Sequence, residues 1–160
     1  MALLVETRQR HEKVVYAWRL DRSRWGDVTA GRRILPDLPP NTGDVAMDPA
    51  FDARDIYELV EANGATPIVK PRANARTTHV NARGRAIRWK LRHPTAWQRR
   101  YNRRPITESV NYALKRKFGD RLWSRGLRNQ RIEFALRILV YNTALVCRSR
   151  IRPRVQRGDL

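Results

Sequence analysis

Tyr101, Arg104, Glu108 and Lys115 stand at intervals of three, four and seven residues within the stretch Tyr101–Lys115. Glu108 is the only acidic residue between Glu61 and Asp120, and the segment around it is the most basic part of the chain. On a helix turning about 100° per residue, Arg104, Glu108 and Lys115 fall on one stripe. That stripe is either a ladder of surface ion pairs, each contributing roughly 0.2–0.5 kcal/mol, or a working carboxylate set among phosphate-gripping cations. A second carboxylate, Asp48, closes the short apolar run Val45-Ala-Met47. Carboxylates at the C-terminal ends of strands lie where open α/β sheets place their sites.

These side chains need elements to hold them. Leu3–Thr7 and Val14–Leu20 are rich in β-branched and aromatic residues and read as two strands joined by polar Gln9–Lys13, an antiparallel pair. Asp27 is an expected N-cap for a helix through Val28, Ile34 and Leu38, which Pro36, Pro39 and Pro40 end early. Val45–Met47 reads as a buried strand. Asp52 is then expected to cap a helix over Ala53–Asn63 that stops at Gly64, and Thr66–Val69 is the next strand. Strand, helix and strand within residues 44–69 form a βαβ unit, whose strands should run parallel. Residues 70–104 hold twelve Lys/Arg and no acid, with Trp89 and Trp97 interleaved, and read as a long basic loop region suited to a polyanion such as DNA. Pro105–Phe118 is a helix with its proline in the first turn and an apolar face of Ile106, Val110, Ala113 and Leu114. Arg128–Cys147 is a second helix, expected to pack through Ile132, Leu136, Leu139 and Val146, and residues 148–160 are a loose basic tail. The whole reads as one mixed α/β (α+β) domain over residues 1–147: an antiparallel pair, a parallel βαβ unit and C-terminal helices.

Charge narrows the partners. The net charge is +19, from 34 Lys/Arg against 15 Asp/Glu. Residues 1–61 carry nine basic and eleven acidic side chains, so the excess falls on residues 62–160. Of the basic residues 29 are arginine, whose planar fork suits phosphate. A polyanion partner follows. No basic amphipathic anchor and no apolar run long enough to span a bilayer is present in the sequence, so a membrane is not the expected polyanion. Cys147 is the only cysteine, which fits a reducing, cytoplasmic setting. His11, His79 and His93 match no zinc spacing.

The pattern Tyr-x2-Arg-x3-Glu-x6-Lys, filled here by Tyr101, Arg104, Glu108 and Lys115, resembles the signature of DDE transposases of prokaryotic insertion sequences. Met47-Asp-Pro-Ala-Phe-Asp52 resembles that family's Asp-x-x-Tyr-Asp segment, with Phe51 in place of Tyr. Gly64–Arg72 resembles the strand that follows it, and Leu114–Gly119, Arg128–Arg131 and Tyr141-Asn142 resemble its C-terminal end. The resemblance covers roughly residues 3–147 and implies a ribonuclease-H-like fold. It implies three carboxylates holding two divalent ions, Mg²⁺ or Mn²⁺, about 4 Å apart. Hard oxygen ligands suit such ions. By position Asp48 is the second acid, Glu108 the third and Glu6 stands at the first. Tyr101, Arg104 and Lys115 are implied phosphate contacts, and Lys70, Arg72 and Arg103 are further DNA-binding candidates. The partners implied are transposon-end and target DNA, with the protein acting as a homodimer.

Two departures keep alternatives open. The family's first acid is Asp, and Glu6 reaches one methylene further in a site that must place ions closely. The family also usually carries a helical DNA-recognition region ahead of the first strand, so the chain reads as an N-terminally truncated catalytic core. The leading expectation is an enzyme that cuts DNA and transfers strands. The runner-up is a catalytically inactive DNA-binding remnant, and the third is a structural RNA-binding protein of the ribosomal kind.

Overall fold

The computed structural model describes residues 2–7, 13–20 and 26–151, with the side chains of residues 2–7, of Asp27 and of residues 149–151 left aside. β1 (Ala2–Thr7) and β2 (Lys13–Arg19) pair antiparallel, with Leu3 opposite Trp18 and Glu6 opposite Val14 and an irregularity between Leu4 and Val5. α1 (Asp27–Ile34) runs into a 3-10 turn at Leu35–Asp37 that carries Pro36. β3 (Asp44–Met47), α2 (Arg54–Ala62) and β4 (Thr66–Val69) make a right-sized crossover, and β3 and β4 pair parallel from Asp44 opposite Thr66 to Met47 opposite Val69. Gly64 ends α2 at φ +73°, a left-handed conformation that a side chain would resist. Then come α3 (Ala82–Arg92), α4 (Pro94–Tyr101), α5 (Pro105–Phe118) and the long α6 (Leu127–Ile151). The protein is thus a mixed α/β fold.

Among the described residues the strands form two separate two-stranded sheets, not one mixed sheet. The outer edge of β2 is covered by α6. Asn142 of α6 accepts from the Val15 backbone N–H at 3.1 Å and donates to the Val15 carbonyl at 2.8 Å, and the Tyr141 hydroxyl donates to the Lys13 carbonyl. A side-chain amide thereby occupies edge groups of β2 that another strand could otherwise use. Below this edge Val15 packs with Val110 and Leu114 of α5 and Phe134 and Ile138 of α6, with Trp18 edge-on to Phe134. A second core lies under the parallel pair: Val45, Met47, Ile56, Tyr57, Val60 and Val69, joined by Leu35 of the 3-10 turn and Ala82 of α3. An ion pair between Arg32 of α1 and Asp55 ties α1 to α2.

Several expectations are corrected. The basic stretch 70–104 is a loop only to residue 81; beyond it lie α3 and α4. Asn81 starts α3 by accepting from the Gly84 N–H at 2.9 Å, and Pro94 occupies the first turn of α4. Both helices bury few residues, Ala82, Gly84, Ile87 and Trp97, two of them too small to register as an apolar stripe. The cap of α1 is Gly26, with Asp27 already helical. The cap of α2 is Ala53, because Asp52 points into the interior and bonds elsewhere. α6 does not pack through Ile132, Leu136, Leu139 and Val146, which are 52, 56, 61 and 39% exposed; Phe134 and Ile138 carry its buried face. Apolar residues surround this helix, so spacing alone selected no side. α6 also continues to Ile151, past the expected start of the tail, and residues 152–160 lie outside the described residues. The helix over Pro105–Phe118 is found at the expected bounds, as is the parallel pairing of Asp44–Met47 with Thr66–Val69.

Candidate active site

β3 delivers Asp48 to its C-terminal end, where the chain leaves the sheet. Pro49 forces the turn, and Asp48 stabilises it by accepting the Ala50 N–H on Oδ1 at 3.0 Å. Its other oxygen faces α5. There Arg104, the residue that caps α5, donates from one nitrogen, Nη1, both to Asp48 Oδ2 at 3.2 Å and to Glu108 Oε1 at 2.5 Å. One guanidinium nitrogen thus draws together carboxylates 60 residues apart in the chain. Both carboxylates are open to solvent, 51% for Asp48 and 62% for Glu108, while Arg104 is 28% exposed. They sit on the wall of a cleft of about 860 Å³ whose polar side also carries Arg99, Arg100 and Arg103. Phe51, Ile34 and Ile106 supply part of its apolar side.

The other sequence-derived candidates are distributed around this pair. Tyr101, at the end of α4, stacks on Trp97 with centroids 4.7 Å apart and lies 6.0 Å from the Arg104 guanidinium carbon. Burial raises its phenol above the usual value; Arg104 opposes the rise, and the Asp48 and Glu108 carboxylates add to it. Tyr101 is therefore held as a neutral hydrogen-bond donor across the neutral pH range. Arg103 is 66% exposed at 4.0 Å from Asp44, whose other oxygen accepts from Arg100 at 3.0 Å. Lys115 is exposed two turns beyond Glu108 and forms no ion pair among the described residues. Lys70 and Arg72 are exposed just beyond β4, at the edge from which Asp48 also leaves, since Met47 and Val69 are register partners. Glu6 has its backbone in β1 opposite Val14, and its side chain lies outside the described residues.

Sequence reasoning missed three groups. Asp44 anchors Arg100 and Arg103. Asn111, one helical turn after Glu108, lines the same cleft and has a buried Oδ1 without a hydrogen-bond partner. The turn-by-turn spacing from Arg104 through Glu108 could have revealed it. Asp52 is the third: buried, and the acceptor of four hydrogen bonds.

The donor set meets a divalent cation's needs in part. Among the described residues no three His, Cys, Asp or Glu side chains are grouped closely enough to hold a metal. Asp48 and Glu108 nevertheless converge, offer hard oxygen donors and already share a positive charge, the Arg104 guanidinium. Two carboxylates meeting around a cation suit Mg²⁺ or Mn²⁺. Also among the described residues, no helix is long and apolar enough to cross a membrane.

The fold thus places a strand-end carboxylate against a helix carboxylate, in a cleft edged with arginine. The family assignment agrees: the model of the family described as "Transposase DDE domain" matches residues 4–143, and the chain belongs to that family. No curated protein and no solved structure matches it. Transposase function and DNA as the partner come with the family.

Proposed function

We propose that this chain is the catalytic core of an insertion-sequence transposase, cleaving DNA strands and joining them to target DNA with Mg²⁺ or Mn²⁺. The observation that carries the reading is the meeting of Asp48 and Glu108 on one Arg104 nitrogen within the cleft. Asp48 and Glu108 would hold divalent cations, with Glu6 as the remaining acid. Two such ions, when bound, activate the attacking oxygen and stabilise the leaving 3′-oxygen. The protein's own groups do the rest. Arg104, Tyr101, Arg103 and Lys115 would seat phosphates, with Tyr101 donating from its neutral hydroxyl. Lys70 and Arg72 extend that bed along the sheet edge. A ribonuclease-H-like descent for the βαβ unit and its flanking helices, and action as a homodimer on paired DNA ends, belong to the same proposal.

One residue favours a second reading. Glu6 in place of aspartate puts a longer side chain at the first acid position, which suits an inactive DNA-binding remnant. Nicking of supercoiled DNA carrying the element's ends separates the two readings. An active core cuts in Mg²⁺ or Mn²⁺, and alanine at Asp48 or Glu108 abolishes cutting. Cutting by the Glu6→Asp variant alone identifies the remnant. Cutting that survives the Asp48→Ala substitution overturns the assignment of the site.

A further inference from the structure

Asp52 follows Asp48 by four residues, yet the 3-10 turn at Pro49–Phe51 sends it the other way. Its side chain is fully shielded from solvent. The carboxylate accepts from Arg83 twice, Nε and Nη2 at 2.7 Å each, from the Arg72 backbone N–H at 2.9 Å and from the Tyr57 hydroxyl at 3.0 Å. Burial alone would raise its pKa; the Arg83, Arg72 and Tyr57 hydrogen bonds together with the Arg83 charge bring it below the usual value, so the group is ionised. A buried charge of this kind is retained only where its lone pairs are used, and all four distances here lie in the hydrogen-bond range.

Arg72 and Arg83 mark the two ends of one segment, so a single carboxylate closes the base of the loop between them. The loop is fastened a second time on α3. Arg88 donates to the carbonyls of Thr77 and His79 at 2.7 Å, and Arg85 donates to that of Val80 at 3.0 Å. The His79 carbonyl rests on Gly84, where an added Cβ would stand only 1.9 Å from it. These fastenings use polar groups, while the loop's largest apolar side chain, Val80, is 83% exposed. Arg72, Arg76 and His79 all face solvent. Ordering about ten backbone residues without burying a core costs conformational entropy that hydrogen bonds must offset. An ordered shape outside the core fits a surface that binds something. The loop leaves β4 at the edge where Asp48 leaves β3, and its exposed charged side chains are cations.

We propose that Asp52 is a positioning residue that closes the Arg72–Asn81 segment into a preset, DNA-gripping loop at the Asp48 edge of the sheet. The inference rests on DNA being the partner, not on the cutting chemistry. Asp52 acts through Arg72 and Arg83 and touches no reacting group.

The test measures binding of a short duplex of arbitrary sequence to the full chain in EDTA, by fluorescence anisotropy across a range of salt. Replacing Arg72 and Arg76 together by alanine lowers the slope of log affinity against log salt by about two, one per lost phosphate contact. Asp52→Asn removes a negative charge, so bulk electrostatics predicts tighter binding. The positioning role predicts the opposite: a similar loss of slope, with no further loss when Asp52→Asn is combined with the double alanine variant. Gly84→Ala changes no charge but pushes His79 away, and it too lowers the slope; it carries the test if Asp52→Asn fails to fold. A slope in Asp52→Asn or Gly84→Ala equal to or steeper than that of the unaltered protein overturns the proposal. Full sensitivity of binding to these variants in a protein that does not cut DNA leaves this inference standing and sinks the catalytic reading. DNA cutting with a slope indifferent to Arg72 and Arg76 does the reverse.

Discussion

Arg104 holds both carboxylates of the cleft through a single nitrogen, so it competes with any divalent cation for the same oxygens. Replacing it by glutamine removes the internal cation and leaves a shorter, neutral polar side chain. The expected outcome is tighter Mn²⁺ binding by titration calorimetry, together with a DNA salt slope reduced by about one. Unchanged metal affinity would show that the guanidinium is not seated where the ion goes. This part of the site was legible in the sequence, because a helix puts Arg104 and Glu108 one turn apart and a strand end presents Asp48. Asp52 was not. Its nearest sequence neighbours suggest a helix cap, while its partners Arg72 and Arg83 lie 20 and 31 residues away with no local pattern to announce them. The side-chain contacts that decide such a residue are tertiary.

At the level of elements, α5 could be read to its bounds because Pro105 starts it and Gly119, at φ +83°, stops it. α3 and α4 escaped because charge covers most of their surface and small residues form part of their contact. α6 was located, but its packed side was not, since Phe134 and Ile138 compete with an equally apolar run at Ile132, Leu136 and Leu139. The connection into α6 is fixed by Glu133, which accepts from the Ser124 and Trp123 backbone N–H groups and pairs with Arg137. The Ser124 N–H leads in holding this carboxyl down, to about 2; desolvation, the next-largest influence, opposes it, and Trp123, the Ser124 side chain and Arg137 assist. An unfolded Glu titrates near 4.3, so it binds more protons than the folded one as pH falls. The stabilisation is complete above that value and is lost as pH drops toward 2. Glu133→Gln should therefore lower the urea midpoint at pH 6, with the gap to the unaltered protein closing below about pH 3. A gap that persists at low pH would show that the carboxylate charge is not what holds the turn.

Across the whole molecule, two apolar clusters support the two halves of the cleft. One lies under the parallel pair that ends in Asp48, and the other under α5, which carries Glu108. Ile56→Ala in the first and Leu114→Ala in the second should each cost about 2–5 kcal/mol in urea unfolding. The clusters share no buried residue, so the double variant should show nearly the sum. The uneven charge of the chain was also plain from sequence, and the fold gives it a place: Arg99, Arg100, Arg103 and Arg104 line the cleft beside the carboxylates. Two clusters that jointly position two acids make the proposed metal site dependent on the entire fold. The most direct measurement is the melting temperature of the full chain with and without millimolar Mg²⁺ or Mn²⁺. A rise that disappears in both Asp48→Ala and Glu108→Ala is the predicted result; no rise in the unaltered protein, or one that survives either substitution, contradicts a shared metal site at Asp48 and Glu108.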